Sequence, residues 1–509
     1  MECSIIANKN FSKGTVDPRL FSSFVEQLGR AVYGGVYEPG HPLADSDGFR
    51  TDVMDLVKAL SVPLVRFPGG NYVSNHTWED SVGPVDERPV RLDLAWSTLD
   101  PNLFGIKEFI SWTKKVGTEP MMAVNLGTRG IEAARNLVEY CNFPKGSTLS
   151  DLRRSHGSQD PYDIKMWCLG NEMDGPWQVG HKSAGEYGSL AAEVGKALKL
   201  FDPTLELVVC GSSNAEMPTF PQWEETVLEQ SYEVVDYLSL HCYYRNDEND
   251  FLTFLASSVG MDAFIEGVVH VCDCVKAKKR SKKTIYLSFD EWNVWFHSKG
   301  KDRQQPKWII GPQLLEDIYT FEDALVVGTL LNSLMRHCDR VKVACLAQLV
   351  NTIAPIMTET GGPAWRQTIY WPFYYASKYG RGEILDLRFS SNSYECKQYG
   401  TVPYADPLMV YHPENGELDL FLVNRSPLET LTVNLDLSGF GEHVEVLEHI
   451  VLNHDNLKAV NDKEHPDEVY PQVLEGESLF STDGNLWKGK VLPASWNLFR
   501  FTTTCLNRE

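Results

Sequence analysis

Carboxylates, amides and aromatic residues collect at the ends of short apolar runs in this chain. Glu26-Gln27 closes the first run, and Arg66-Phe67-Pro68-Gly69-Gly70-Asn71 closes the second. Gly170-Asn171-Glu172 closes the fourth, His241-Cys242-Tyr243-Tyr244 the sixth and Asp290-Glu291-Trp292 the seventh, while Gln348 stands near the end of the eighth. Ordinary turns carry Gly, Ser and Asp, so this concentration is unusual. The carboxylates at 172 and at 290–291 point to a definite chemistry. Cleaving a glycosidic bond takes one carboxylic acid to protonate the leaving oxygen and a second carboxylate to attack the anomeric carbon or to activate water. Enzymes that retain configuration hold the two roughly 5–5.5 Å apart. Side chains alternate along a strand, so only one of Asp290 and Glu291 is expected to point toward such a partner. Spacing alone leaves open which one.

The elements that must position these groups are legible as a pattern. Eight strand-like runs occur at Leu20–Leu28, Val62–Phe67, Pro120–Leu126, Ile164–Leu169, Leu205–Cys210, Val235–Tyr243, Thr284–Trp292 and Val341–Val350. Helix-like segments fall between them at Thr51–Leu60, Phe104–Val116, Gly130–Cys141, Ser183–Phe201, Met261–Lys279 and Phe321–His337. Thr51 is a candidate N-cap. Alternating strands and helices predict an α/β fold, and eight repeats predict a (β/α)8 TIM barrel, whose functional groups gather at the C-terminal ends of the strands. The fourth and seventh strands face each other across such a mouth. The Gly146–Pro161 segment, rich in Gly, Ser, Asp and Arg, reads as an exposed loop.

The pattern changes after about residue 385. Leu408–Tyr411, Leu418–Asn424, Leu431–Leu437, Val444–Val451 and Trp496–Thr502 are short alternating or β-branched runs separated by turn residues, which predicts a β-sandwich. Cys3–Ala7 precedes the barrel and is expected to join it. The expected division is a catalytic barrel over 15–384 and a sandwich, jelly-roll-like, from 1–14 plus 385–509.

The 509 residues, with 43% hydrophobic and 23% charged, suit a large globular catalytic domain with a smaller companion. Their 47 Lys+Arg against 69 Asp+Glu give a formal charge of −22. Such a surface repels phosphate backbones and anionic lipid heads, so neither nucleic acid nor a membrane is an expected partner. No run of 18 apolar residues predicts a spanning helix. The opening MECSIIANKNFSKG lacks the basic and apolar regions of a signal peptide, which predicts a cytoplasmic location. The 11 cysteines, odd in number and scattered, read as reduced thiols, and the Cys272/Cys274 pair lacks the partners of a metal site. Gly69-Gly70 lacks the following signature of a phosphate loop. Two carboxylates suffice for the chemistry, so no metal and no cofactor is expected.

Four segments now carry a resemblance. FVEQLGRAVYGG at 24–35, RFPGGNYVSNHTWEDSVGP at 66–84, WCLGNEMDGPWQ at 167–178 and SFDEWNVW at 288–295 resemble the α-L-arabinofuranosidases of glycoside hydrolase family 51. The likeness runs from about Phe21 to Tyr379 and is weaker in the tail. It implies a (β/α)8 barrel with a β-sandwich and release of terminal α-L-arabinofuranosyl units from arabinan or arabinoxylan fragments by a retaining mechanism. It also implies a homo-oligomer, in this family often a hexamer.

Residue by residue, the resemblance implies Glu172 as acid/base, Glu291 as nucleophile and Asn171 as a ligand of the sugar 2-hydroxyl. Glu26, Asn71 and Gln348 become contacts to furanose hydroxyls. Tyr243 and Arg66 stand near the nucleophile, His241 beside the acid/base, and Trp96 and Trp295 wall the pocket. Asp290 is then left to a structural hydrogen bond. Burial and the charge of Glu291 should raise the Glu172 pKa, and Arg66 should favour an ionised Glu291.

For several residues the plainer reading stays open. His241 resembles a satisfied core histidine, Trp78 and Trp292 are candidate core aromatics, and Asp174 and Trp177 either pack or touch a leaving group. Two other readings are weighed: a β-1,4-glucanase or β-xylosidase using the same glutamates, and a non-catalytic carbohydrate-binding protein. A metal-dependent amidohydrolase would need an H-x-H at the end of the first strand, where Glu26-Gln27 stands.

Overall fold

The computed structural model describes residues 1–440, 443–474 and 480–503. Its centre is a closed barrel of eight strands: β1 (Ser22–Phe24), β2 (Leu64–Phe67), β3 (Glu119–Val124), β4 (Met166–Leu169), β5 (Glu206–Val209), β6 (Tyr237–Tyr244), β7 (Tyr286–Val294) and β8 (Val341–Ala347). Each pairs in parallel with its neighbours in chain order, and β8 closes on β1. All eight strand-like runs are barrel strands.

Strand alternation sorts the core. Phe24, Met121, Ala123, Met166, Cys168, Val208, Val343 and Cys345 fill the barrel interior. The alternate residues Val65, Phe67, Met122, Val124, Trp167, Leu169, Leu207 and Val209 face outward into the layer under the helices. Helices at Thr51–Leu60, Ile106–Val116, Ile131–Asn142, Ala184–Phe201, Ser257–Lys279 and Phe321–Arg336 lie within a few residues of the expected segments.

Three local expectations fail. The N-cap of the Thr51–Leu60 helix is Arg50, while the Thr51 hydroxyl donates to the Leu43 carbonyl instead. The 146–161 segment contains a helix, Thr148–Ser155, capped by Ser147. It is anchored by Arg153, wholly buried and donating to the carbonyls of Tyr140, Phe143 and Pro144. Helices Gln222–Ser231 and Tyr370–Tyr379 were not expected either.

The chain start and the tail build two further sheets. One orders Arg388–Ser391, Glu2–Ile6, Leu431–Asp436, Leu486–Val491 and Phe480–Asp483. The other orders Ser12–Thr15, Glu383–Leu385, Ala405–His412, Glu417–Asn424, Ser495–Thr503, Val444–Asn453 and Gln472–Leu474. Cys3, Ile5, Leu418, Leu420, Leu422, Val433 and Leu435 pack between them. The outer face of the seven-stranded sheet, with Phe421, Val423, Ile450, Trp496 and Leu498, shares the barrel's outer core. There the Phe321–Arg336 helix comes so close that a side chain at Gly328 would collide with Trp496.

Candidate active site

The strand ends meet in one cavity of about 1240 Å³, whose lining includes Glu26, Asn71, Trp96, Glu172, Tyr243, Glu291, Trp295 and Gln348. Single ligand oxygens or nitrogens of Glu172, His241 and Glu291 lie within 4.8 Å of one another. Oxygens this close bring the two carboxylates near enough for the roughly 5–5.5 Å carboxyl spacing that a retaining mechanism uses.

Local backbone aims each carboxylate. Glu172 follows β4 through Gly170 (φ +93°) and itself has φ +44°, a conformation that costs a non-glycine residue of order 1–3 kcal/mol. Asp174 anchors that turn by accepting from the Ser213 N–H (3.0 Å) and hydroxyl (2.5 Å) at the end of β5, so it packs. On β7, strict alternation breaks. Ser239 faces Ser288, yet His241 faces Glu291, so β7 carries one extra residue in a bulge. Asp290 and Glu291 therefore both reach His241, contrary to the expectation that only one can point inward.

Glu291 sits on β7 as a hydrogen-bond acceptor. Arg66 Nη1 donates to Oε1 (2.6 Å) and the Tyr243 hydroxyl to Oε2 (2.7 Å). The second arm of Arg66 donates to Asn171 Oδ1 (2.7 Å), and the Asn171 amide nitrogen donates to Asn71 Oδ1 (3.3 Å), a residue of the cavity wall. The Arg66 guanidinium lies over the Phe24 ring and is 1% exposed.

Glu172 is held on both oxygens. His241 Nδ1 lies 2.9 Å from Oε1, and Trp177 Nε1 donates to Oε2 (2.7 Å). Burial raises its pKa above the ordinary carboxylate value, the nearby Glu291 charge adds to this, and the His241 and Trp177 bonds oppose it. His241 is no mere core histidine. Burial works against its charge, but Glu291, Asp290 and Glu172 outweigh it and raise the imidazole to about 10. A cationic ring donates from both nitrogens, the second to Asp290 Oδ1 at 3.1 Å. Asp290, also bonded by Ser239, takes the structural role expected of it, and Arg66 and His241 hold its carboxyl low against the cost of burial.

Across the cavity, Glu26 accepts from the Tyr72 N–H (2.8 Å) and Trp96 Nε1 (3.0 Å). Gln348 accepts from the Glu26 N–H (2.9 Å) and approaches its carboxylate. Gly70 is required here, because a Cβ would collide with the Glu26 carboxylate. Burial, reinforced by the charge of Glu291, pushes Glu26 up to about 8, so it is largely a neutral acid near pH 7. Trp295 packs edge-on against Tyr243, with ring centroids 5.3 Å apart. All eleven expected site residues thus converge. Trp78 and Trp292 are core residues. Tyr72 was missed: its backbone N–H serves Glu26 and its hydroxyl bonds Asp100, contacts that no motif signals.

Glu172, His241 and Glu291 also form the one group of metal-like spacing among the described residues. A cation would have to displace Arg66 from Glu291 and a proton from His241, so this donor set favours protons and sugar hydroxyls over a metal.

Comparison with known proteins agrees with this arrangement. Residues 56–258 match the model of the alpha-L-arabinofuranosidase 1 domain, and residues 290–491 that of the alpha-L-arabinofuranosidase C-terminal domain. An intracellular exo-alpha-(1->5)-L-arabinofuranosidase of Halalkalibacterium halodurans is 57% identical, covering 98% of this chain and 99% of its own. The similarly named enzyme 1 of Bacillus subtilis is 56% identical over 97% and 98%. The solved structure of AbfB, a family 51 alpha-L-arabinofuranosidase from Bifidobacterium longum, superposes with TM-score 0.93 at 45% identity, covering 98% of this chain and 99% of that one. With barrel, paired carboxylates and full-length likeness in hand, this chain belongs to the family 51 α-L-arabinofuranosidases.

Proposed function

We propose that this enzyme removes terminal non-reducing α-L-arabinofuranosyl residues from short arabinose-containing oligosaccharides with net retention, Glu291 acting as nucleophile and Glu172 as acid/base. The observation that carries the reading is the meeting of Glu172 and Glu291 within 4.8 Å, each in a different electrostatic setting. Glu291, bonded by Arg66 and Tyr243, attacks the anomeric carbon. Glu172 and His241 Nδ1, 2.9 Å apart, hold a transferable proton, which Glu172 delivers to the leaving oxygen. Once the sugar is bonded to Glu291, that charge is gone. One cause of the raised Glu172 pKa goes with it, and Glu172 then takes a proton from the incoming water.

Asn171, Asn71, Glu26 and Gln348 bind the furanose hydroxyls, and Trp96 and Trp295 present apolar faces to its C–H groups. The barrel is the catalytic unit and the sandwich the accessory one, and because Ser12–Thr15 and Glu383–Leu385 pair within a sandwich sheet, the expected division at 15–384 is drawn in to 16–382. The relatives' names support action inside the cell on α-(1→5)-linked fragments. Self-association is supported by the family likeness and by exposed apolar side chains on two adjoining segments, Val90, Leu92 and Leu94 beside Trp308, Ile309 and Ile310.

The test is hydrolysis of 4-nitrophenyl α-L-arabinofuranoside, followed by NMR of the first-formed sugar. Release of nitrophenol with the α-anomer appearing first is expected. The β-anomer first would overturn the retaining mechanism, and turnover of a β-xyloside or β-glucoside alone would overturn the substrate.

A further inference from the structure

The cavity is larger than the 300–1,000 Å³ of most small-molecule pockets, and much of its wall lies beyond the residues assigned to one furanose ring. Part of that wall comes from an unexpected place. Ser393–Cys396 and Gly400–Pro403 form a two-stranded hairpin that joins neither sandwich sheet. It leaves the tail and docks on the segment after β6. Tyr394, Cys396 and Val402 pack with Ala256 in a small separate core, and the Tyr394 hydroxyl donates to the Leu252 carbonyl (2.9 Å). Its tip, Lys397-Gln398-Tyr399, lines the same cavity as Glu172 and Glu291.

The seat of Tyr399 is shaped for its ring. A Cβ on Gly260 would lie 2.8 Å from Tyr399 Cε1, so the helix offers a bare backbone where the ring rests. Tyr399 is half-buried, whereas Lys397 and Gln398 are exposed and carry donors and an acceptor. An aromatic face flanked by flexible polar groups is the usual composition of a surface that binds a neutral sugar ring.

On the basis of the function proposed above, we infer that this hairpin is the outer wall of the leaving-group subsites. Tyr399 stacks on a sugar unit beyond the scissile bond, and Lys397 and Gln398 bond its hydroxyls. The occupant is the neutral oligosaccharide from which the terminal furanose is removed. A tail-derived element thereby sets how strongly the enzyme prefers an oligosaccharide over a substrate whose leaving group carries no sugar.

The test compares kcat/KM for an α-1,5-linked arabinotriose with that for 4-nitrophenyl α-L-arabinofuranoside in the whole enzyme. Tyr399→Ala and the double variant Lys397→Ala/Gln398→Ala are each expected to lower the ratio at least tenfold. Gly260→Ala, which puts a methyl group where the Tyr399 ring rests, should lower it in the same direction. Glu395→Gln, on an exposed hairpin position bonded to Thr401, should leave it within twofold. Thermal melts identify any variant that has lost its fold, and the exposed-tip double variant then decides. A ratio within twofold for Tyr399→Ala and the tip variant overturns the inference. An unmodified enzyme inactive on both substrates overturns the function on which the inference rests, a distinct result because no variant is needed to see it.

Discussion

The barrel mouth and the sandwich interior are both buried, but they are built by opposite rules. Between the sandwich sheets, Ile5, Leu418, Leu420, Leu422 and Val433 remove apolar surface from water. In the mouth, Arg66, His241, Asp290 and Glu291 are at most 5% exposed, and each is held by an oppositely charged partner. Burying charges costs free energy unless geometry compensates, and equal volume in apolar side chains would often be as stable. Charge kept in such a place marks a site where chemistry, not stability, selects the residues. Changes in the mouth should therefore be read mainly in turnover and changes in the sandwich in melting temperature.

The sharpest break of that contrast is expected at Glu291→Gln. The amide still accepts from Tyr243 but cannot form the glycosyl bond, so kcat should fall by about 10⁴-fold or more. Glu172→Gln should lower turnover of oligosaccharides by about 10²–10⁴-fold and that of the 4-nitrophenyl glycoside far less, since its leaving group needs little protonation. Azide should restore part of the Glu172→Gln rate on the activated substrate. Asp290→Asn should fall between wild type and Glu291→Gln, because Asp290 acts through His241. A nearly active Glu291→Gln beside an inactive Asp290→Asn would reverse the two roles.

The same contrast explains what the sequence made legible. Apolar alternation places the eight barrel strands and the long tail strands, because burial of one face is a local pattern. The polar strand ends, with Glu172 after Gly170 and Asn171, are visible as a departure from ordinary turns. The bulge in β7 is not visible: it rests on pairing with β6 and β8, and it turns Asp290 and Glu291 toward the same histidine. Nor does any motif show that Trp177 bonds Glu172 or that the 393–403 hairpin leaves the sandwich to line the cavity. The Thr148–Ser155 helix is hidden because its polar composition resembles a loop, while Arg153 is buried by bonds to the carbonyls of Tyr140, Phe143 and Pro144, which no side-chain pattern reveals.

The sandwich side of the contrast is probed by Leu420→Ala. Leu420 is 1% exposed between the sheets, and its truncation should cost about 2–5 kcal/mol. A lower melting temperature with kcat/KM unchanged at 25 °C is expected. A changed KM at an unchanged melting temperature would mean that the sandwich interior tunes the mouth, and the two regions could no longer be treated apart.

The remaining expected effect is a pH dependence, and it lies on the far wall of the mouth. Glu26 has its pKa raised to about 8 by burial and by Glu291, against roughly 4.3 for an unfolded glutamate. Between those values the folded chain holds a proton at Glu26 that the unfolded chain has released. Its contribution to stability is therefore fully present below the unfolded pKa and declines as pH rises toward about 8. Glu26→Gln cannot ionise in either state, so the melting temperature of the variant relative to wild type should climb from pH 5 to pH 8 and then level off. Thermal melts of both proteins at pH 5, 6.5, 8 and 9 measure it. A constant difference across that range would mean that Glu26 is already ionised in the folded enzyme, and that it meets the sugar only as an acceptor.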